Sequence, residues 1–195
     1  MSKLALDHSA INLSQGFPDF PVSEKLIELI YRNMKEGHNQ YAPSPGVASL
    51  RKIIAEVISK TYQRPTHPET EITITDGGTE ALFSVIAALV SQGDEVIVFD
   101  PAYDSYDPAI RLNGGVPIHI NLNPPKFAID WEEVKLKITS RTRMIMINTP
   151  HNPSGAVLSE ADLRALEEIA LNHGIIVLSD EVYERIIFED IAHQS

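Results

Sequence analysis

The stretch "RMIMINTPHNPSGAV" spans Arg143 to Val157. It begins with an apolar run that stops abruptly after Ile147, and two asparagines, two prolines, a histidine, a serine and a glycine follow. A helical pattern starts soon afterwards, at Ser159. A β-prone run, a turn-rich loop and a helix in this order are typical of one step in an alternating α/β chain.

The same step recurs along the chain. Apolar, β-prone runs alternate with helical patterns, and this rhythm predicts βαβ units with a mostly parallel sheet. The runs are nearly continuous in isoleucine and valine, which fits strands covered by helices on both faces, a three-layer αβα arrangement. The predicted strands are Ile72–Thr75, Glu95–Phe99, Val116–Ile120, Arg143–Ile147 and Ile175–Ser179. The predicted helices between them are Glu80–Ser91, Ser105–Leu112, Asp130–Ile138 and Ser159–His173.

Two further features of the pattern locate boundaries. Pro117 cannot donate a ladder hydrogen bond, so the strand that contains it is expected at an edge of the sheet. Residues 1–45 are irregular and punctuated by prolines, with one amphipathic helix predicted from Ser23 to Gly37. Residues 46–195 begin with a second helix, near Val47 to Tyr62, and then hold the alternating segments. We therefore divide the chain after residue 45.

The overall composition narrows the function. The chain has 195 residues, 43% of them hydrophobic, and a formal net charge of −11, which argues against nucleic-acid and anionic-membrane surfaces. It has no cysteine, so disulfides and thiolate metal sites are excluded, and the seven histidines have no ligand-like spacing, so no metal is expected. No apolar run approaches the roughly 20 residues that span a bilayer. The start lacks a signal-peptide pattern, and a cytoplasmic location is expected.

The segments that follow the predicted strands carry the unusual residues. In open parallel sheets, ligands bind beyond the carboxyl ends of the strands, so these segments are expected to form one rim. They are "TDGGTEALF" from Thr75, "DPAYDSY" from Asp100, "NTPHNPSG" from Asn148 and "DEVYERI" from Asp180.

Each segment alone admits a functional and a structural interpretation. The Gly77–Gly78 pair leads into a helix, whose free N–H groups favour an anion, although it could equally be a tight turn. Tyr103 could stack on a planar ring or belong to the core. Asn148 and Asn152 could be amide donors held stiffly by the neighbouring prolines, or parts of a structural turn.

The segment "LSDEVY" is the most informative of the four. Asp180 ends an apolar strand at the expected rim, where a carboxylate is costly unless it meets a cation or hydrogen-bond donors. Tyr183, three residues further on, lies on the same side if a helical turn begins there. The alternative is that Asp180 caps the next helix.

Taken together, these segments resemble the class I/II aminotransferases, the fold-type I enzymes that use pyridoxal 5′-phosphate (PLP). The resemblance runs from about Ile11 to the end of the chain. It implies that residues 46–195 form part of the large PLP-binding domain of that fold. Residues 1–45 would form an N-terminal arm that contributes to substrate binding and to the dimer. The first and fourth matching segments are most similar to the methionine, glutamine and kynurenine aminotransferase branch. The matching segments, in family order, are "NLSQGFPDFP", "QYAPSPGVASLR", "TDGGTEAL", "DPAYDSY", "NTPHNPSG" and "SDEVY".

The resemblance implies a role for individual residues of the rim. Asp180 would pair with the pyridine nitrogen of PLP and keep it protonated. Tyr183 and Asn152 would hydrogen-bond the phenolic oxygen of the ring, and Asn152 would also meet the α-carboxylate of the substrate. Tyr103 would stack on the ring face.

The remaining implied roles concern the phosphate and the substrate pocket. Gly78 and Thr79 would donate backbone N–H groups to the phosphate. Gly16 would line the substrate pocket, and Tyr41 would reach the phosphate bound in the other subunit, which implies a homodimer.

The family's Schiff-base lysine is missing from the expected pattern. It belongs well downstream of Tyr183, but the last lysine here is Lys137, and the arginine that clamps the substrate carboxylate is missing too. Lys60, in a "SKT" context, sits on a predicted helix and is expected to be solvated. We therefore expect a fragment that is inactive alone. The resemblance implies that the family's later strands, absent here, insert between the first and fifth predicted strands.

The activity that the resemblance implies is transfer of an amino group from an L-amino acid, of the methionine, glutamine or aromatic type, to a 2-oxo acid. Three alternatives stay open at this point. One is a PLP-dependent carbon–sulfur lyase of the same fold, and another is a non-catalytic cofactor-binding relic. The third is a nucleotide-binding dehydrogenase, which "DGGTEA" and Asp100 weakly favour.

Overall fold

A computed structural model describes residues 1–12, 16, 20–188 and 193–195. It divides into two compact units, Met1–Pro43 and Ser44–Ser195, each of which is described by itself. The first unit contains helices α1 (Ser2–Asp7) and α2 (Glu24–Lys35). Within the described ranges, no helix is both long and apolar enough to cross a membrane.

In the second unit, helices alternate with strands from β1 onwards, as the sequence predicts. Four of the five predicted strands are present, and each end lies within one residue of the predicted end. The elements, in chain order, are α3 (Ala48–Tyr62), α4 (Gly78–Leu89), β1 (Glu95–Asp100), α5 (Tyr106–Leu112), β2 (Val116–Asn121), α6 (Trp131–Lys137), β3 (Thr142–Asn148), α7 (Glu160–His173) and β4 (Ile176–Asp180).

The four strands form one parallel sheet in the order β2-β1-β3-β4. The strand that contains Pro117 lies at an edge of this sheet, which confirms the expectation drawn from its missing N–H. In the β3–β4 register, Asn148 is paired with Asp180, so the last residues of two neighbouring strands lie side by side. This pairing brings two of the polar segments to the same end of the sheet.

Helices pack on both faces of the sheet, so the predicted α/β, three-layer fold is confirmed. Side chains of α4 and α5, including Ile86 and Ile110, pack on one face against Val96 and Met144. Side chains of α6 and α7 pack on the other face against the alternate residues of the same strands, such as Ile145. The strands β1 and β3 are buried almost throughout, whereas β4 is only partly covered.

The predicted strand over Ile72–Thr75 is wrong. These residues have no strand conformation, and the N–H of Ile74 donates to the carbonyl of Pro45 over 3.1 Å. A strand requires a neighbouring strand to satisfy its N–H and C=O groups, and here a loop supplies the acceptor instead. Ile72 is buried, as expected for an apolar run, but the segment is not part of the β-sheet.

A buried ionic cluster closes the amino end of the sheet, opposite the polar rim. The carboxylate of Glu95, at the start of β1, accepts hydrogen bonds from the Thr139 hydroxyl over 2.5 Å and from Arg141 Nε over 2.9 Å. The side chain of Glu95 is only 4% exposed. A buried carboxylate is tolerated here because both of its oxygens have donors.

Candidate active site

One cavity of about 180 Å³ lies at the carboxyl ends of β3 and β4, beside the start of α4. The polar segments that follow three predicted strands and the Gly-Gly turn all contribute to its wall. The lining residues are Gly78, Thr79, Leu82, Tyr103, Asn148, Asn152, Asp180, Val182 and Tyr183.

The start of α4 forms one wall of the cavity. Gly77 precedes the helix with φ of 84°, a conformation that favours glycine, and the helix begins at Gly78. The first N–H groups of an α-helix have no partner within the helix, and the helix dipole adds positive potential there. The Glu80 side chain reaches back and accepts a hydrogen bond from the Asp76 N–H. This arrangement leaves the amides of Gly78 and Thr79 suited to an anion.

Asp180 supplies negative charge to the cavity. Its carboxylate accepts hydrogen bonds from the Tyr106 hydroxyl at Oδ2, over 2.7 Å, and from the Val182 N–H at Oδ1, over 3.2 Å. It is the one ionisable carboxylate among the residues that line the cavity. Each oxygen keeps capacity for a further donor, so the cavity is suited to a cationic N–H next to this group.

The Asn148 amide ties two parts of the wall together. Its Nδ2 donates to the backbone carbonyl of Asp180 over 2.9 Å, and its Oδ1 accepts from the Asn152 N–H over 2.7 Å. The Thr149 N–H also donates to the Asp180 carbonyl, over 3.0 Å. The polar loop after β3 is therefore fastened to the end of β4, which explains why a buried strand ends in so many polar residues.

The adjacent His151 helps to hold the same loop in place. Its ring Nδ1 is 2.7 Å from the Ser154 hydroxyl, and the side chain is buried. Burial lowers the pKa of His151, against the opposing effect of a hydrogen bond to the Pro101 backbone. We interpret His151 as a neutral, structural side chain.

Two tyrosines complete the apolar part of the wall. Tyr103, in the loop after β1, meets Tyr106 edge to face, with ring centroids 5.7 Å apart and an interplanar angle of 75°. Tyr183 lies in the turn that follows β4, where its carbonyl accepts from the Ile186 N–H over 2.8 Å. Both rings keep surface on the cavity, so a planar ligand could contact an aromatic face and a phenolic hydroxyl.

The structure brings most of the predicted site residues together. Six of them line this single cavity: Gly78, Thr79, Tyr103, Asn152, Asp180 and Tyr183. The other two, Gly16 and Tyr41, belong to the first unit, and their assignment to the site stays a prediction. Part of the "NLSQGFPDFP" segment falls on residues 13–15 and 17–19, which lie outside the described residues. Lys60 is exposed on α3, as expected for a lysine without a catalytic role.

Sequence reasoning missed Tyr106. The side chain is buried, with 4% of its surface exposed, and burial together with the hydrogen bond to Asp180 raises its pKa. The hydroxyl therefore stays protonated at physiological pH and acts as a donor. The only signal in the sequence was the nearness of Tyr106 to Tyr103, three residues earlier, from which it is separated by a turn closed by a hydrogen bond of 3.1 Å.

Comparison with known proteins assigns the family. The family model "Aminotransferase class I and II" matches residues 8–195, nearly the whole chain. The chain belongs to the class I and II aminotransferases. The predicted resemblance is thereby confirmed, and the dehydrogenase alternative has no support.

Individual members of this aminotransferase family are closely similar. The chain is 49% identical to methionine aminotransferase of Escherichia coli K12 over 195 residues, which cover 100% of the chain and 50% of the relative. It is 40% identical to a probable N-succinyldiaminopimelate aminotransferase of Mycobacterium tuberculosis, covering 99% of the chain and 49% of the relative. The chain spans about half the length of these relatives.

The solved structures agree with these sequence matches. A crystal structure from Escherichia coli, described as identifying a methionine aminotransferase function, superimposes with a TM-score of 0.96 at 49% identity, covering 100% of this chain and 51% of that one. Both relatives and this solved structure are described as aminotransferases, and nothing in their descriptions points to a carbon–sulfur lyase.

Proposed function

We propose that this chain forms the cofactor-binding part of a PLP-dependent aminotransferase, which moves an amino group from an L-amino acid to a 2-oxo acid. One observation carries the proposal: a single cavity combines a helix N-terminus, a carboxylate, an aromatic ring and amide donors. PLP has an anionic phosphate, a basic ring nitrogen and a phenolic oxygen, so each group of this donor set has a counterpart in the cofactor. The family membership supports the same assignment.

When bound, PLP supplies an electron-withdrawing ring that stabilises negative charge at the Cα of the amino acid. The proposed task of Asp180 is to hold a proton on the ring nitrogen, because an opposite charge at contact distance favours the charged form. Two donors already contact this carboxylate, the Tyr106 hydroxyl and the Val182 N–H. Asp180 thus acts by positioning and by charge.

The phosphate would bind at the start of α4. The backbone N–H groups of Gly78 and Thr79 would donate to its oxygens, and the helix dipole would add to the attraction. This anchor and the Asp180 carboxylate lie on the wall of one cavity, so they could hold the two charged parts of one molecule.

The remaining residues would orient the ring and the substrate. Tyr103 would cover one face of the ring by stacking, which also excludes water. The side chains of Asn152 and Tyr183 would donate to the phenolic oxygen, and Asn152 would in addition bind the α-carboxylate of the amino acid. The fastening of the Asn152 backbone by Asn148 supports this role, since it limits the positions of the loop.

We further propose that the amino donor is L-methionine or a related amino acid, of the glutamine or aromatic type. The 49% identity to a methionine aminotransferase supports this choice. Gly16 would contribute to the substrate pocket, and Tyr41 would reach the phosphate of a second subunit in a homodimer. A cytoplasmic location and a biosynthetic role are the accompanying predictions.

The proposal is tested by ligand binding to the 195-residue chain. Pyridoxamine 5′-phosphate is a suitable probe because, unlike PLP, it cannot form imines with surface lysines. We expect it to raise the midpoint of thermal unfolding at concentrations that also saturate binding, whereas NADH leaves the midpoint unchanged. The proposal is wrong if NADH stabilises the chain and pyridoxamine 5′-phosphate does not.

A second test concerns turnover. The chain contains no lysine after Lys137. Lys60 is exposed on α3 and does not line the cavity. We therefore expect the chain, supplied with PLP, L-methionine and a 2-oxo acid, to form no 2-oxo product above the rate of the free cofactor. Enzymatic turnover by these 195 residues would contradict that expectation.

A further inference from the structure

Tyr106 connects two of the groups that face the proposed cofactor. Its hydroxyl donates to Asp180 Oδ2 over 2.7 Å, although the two residues are 74 positions apart in the chain. The edge of the same ring meets Tyr103, with the centroids 5.7 Å apart. Tyr106 does not itself line the cavity, and it is buried, with 4% of its surface exposed.

The surroundings of Tyr106 give its hydroxyl one direction. The ring is packed in the core cluster formed by α4, α5, β1 and β3, so it cannot turn towards solvent without leaving that cluster. The backbone is held as well, because the Tyr106 N–H donates to the Tyr103 carbonyl over 3.1 Å. The hydroxyl is therefore a fixed donor, aimed at a carboxylate that can otherwise rotate about its own side-chain bonds.

We propose that Tyr106 is a positioning residue. It holds the Asp180 carboxylate in the orientation in which it accepts a hydrogen bond from the protonated ring nitrogen of the cofactor. The inference rests on the proposed function, since it assigns Asp180 to that nitrogen. The hydroxyl acts on one oxygen and the Val182 N–H on the other, so together they set the plane of the carboxylate. Without the hydroxyl, Asp180 would keep its charge but lose this alignment.

The inference makes a specific demand on ligand selectivity. A misaligned carboxylate weakens only the contact to the ring nitrogen, and leaves the phosphate and stacking contacts unchanged. The useful quantity is therefore a ratio: the affinity for pyridoxamine 5′-phosphate divided by the affinity for its analogue with carbon in place of the ring nitrogen. A general loosening of the cavity would weaken both ligands alike and leave the ratio unchanged.

The experiment compares Tyr106→Phe with the wild-type chain by calorimetric titration with both ligands. Phenylalanine keeps the ring and its edge contact with Tyr103 and removes only the hydroxyl. We expect the ratio to fall about threefold or more, the scale on which one hydrogen bond acts. The control Tyr62→Phe, which removes a tyrosine hydroxyl that donates to Glu184 and does not line the cavity, should leave the ratio unchanged.

The outcomes separate this inference from the proposed function. A wild-type chain that binds both ligands equally would contradict the assignment of Asp180, and with it the proposed function. A wild-type preference for the nitrogen-containing ligand that survives undiminished in Tyr106→Phe would overturn the role of Tyr106 alone.

A second measurement, on the wild-type chain, tests the inference even if Tyr106→Phe does not fold. The wild-type chain is labelled with ¹³C at the hydroxyl-bearing ring carbon of tyrosine, and the Tyr106 signal is followed by NMR. Pyridoxamine 5′-phosphate should shift this signal, because the ring nitrogen competes for the same carboxylate, and the carbon analogue should not. Equal shifts with the two ligands, or none with either, would contradict the inference.

Discussion

Asn148 and Asp180 end neighbouring strands and are joined by a hydrogen bond of 2.9 Å from the Asn148 amide to the Asp180 carbonyl. The same amide accepts the Asn152 N–H on its other side. One side chain thus fixes the distance between the residue proposed for the ring nitrogen and the residue proposed for the phenolic oxygen.

The first prediction concerns this amide. Asn148→Ala removes a donor and an acceptor from a partly buried site, so we expect the free energy of unfolding to fall by about 1–3 kcal/mol. Affinity for pyridoxamine 5′-phosphate should fall as well, because the Asn152 loop loses its attachment. Urea unfolding and calorimetric titration measure the two effects. The control is Asn33→Ala, which removes an exposed amide bonded within α2 and should change neither quantity appreciably.

Much of the fold was predictable because its signals are local. Runs such as Glu95–Phe99 and Arg143–Ile147 are apolar, β-prone and bounded by turn residues, and the strands extend at most one residue beyond them. The start of α7 was predictable for the same reason, since Ser159 and Asp162 are close in sequence and form a capping box. Parallel strands place their carboxyl ends together, which is why four of the predicted site residues share one cavity: Tyr103, Asn152, Asp180 and Tyr183. Gly78 and Thr79 reach the same cavity from the start of α4, without a preceding strand.

The failures came from interactions that depend on distant parts of the chain. Ile72–Thr75 has the composition of a strand, but strand formation depends on a partner, and the Ile74 N–H finds the Pro45 carbonyl instead. Tyr106 was not predicted as a site residue because its role depends on a hydrogen bond to Asp180, and that contact forms only when α5 packs beside the sheet. Local sequence composition predicts neither the Ile74–Pro45 contact nor the Tyr106–Asp180 contact.

The second prediction concerns the anion site at the start of α4. Glu80 places a negative charge in the first turn of the helix, where a phosphate would bind, while its side chain accepts from the Asp76 N–H. Glu80→Gln keeps an acceptor and removes the charge, so affinity for pyridoxamine 5′-phosphate should rise severalfold, and more at low ionic strength. Stability should fall by only about 0.3–1 kcal/mol, because a favourable charge–dipole interaction is lost.

The matched control for this variant is Glu133→Gln, which removes a first-turn glutamate from α6, on the other face of the sheet. It should leave ligand affinity unchanged. If the two variants have the same affinity as the wild-type chain, the phosphate does not bind at the start of α4.

The third prediction concerns the ring of Tyr103. Tyr103→Ala should weaken binding of pyridoxamine 5′-phosphate about 3- to 10-fold, because a stacked aromatic pair contributes about 0.5–1.5 kcal/mol. Tyr103→Phe keeps the stacking face and should bind almost as tightly as the wild-type chain. Fluorescence titration compares the three proteins, and equal affinities in the alanine and phenylalanine variants would show that the ring does not face the ligand.

The fourth prediction concerns acid stability. The Thr139 hydroxyl and the Arg141 guanidinium lower the pKa of Glu95 from its ordinary value of 4.5, against the opposing effect of burial. A lowered pKa in the folded state means that Glu95 stabilises the fold above pH 4.5 and loses this contribution as the pH falls through the folded-state value. The stability advantage of the wild-type chain over Glu95→Gln should therefore be present at neutral pH and shrink in acid.

Urea unfolding of the two proteins at a series of pH values measures this difference. The expected advantage at neutral pH is about 1.5–3 kcal/mol, the usual contribution of hydrogen bonds to a charged group. A difference that stays constant from neutral to acid pH would exclude an ionised Glu95 as its source.

The most direct test of the central proposal is the effect of Asp180→Asn on the calorimetric binding of pyridoxamine 5′-phosphate to this chain. Asparagine keeps the size of the side chain and removes its charge, so binding should weaken about 10- to 100-fold, while the control Asp130→Asn, at the cap of α6, binds as the wild-type chain does. If Asp180→Asn binds the ligand as tightly as the wild-type chain, the carboxylate does not hold a cationic ring nitrogen, and the proposed site is wrong.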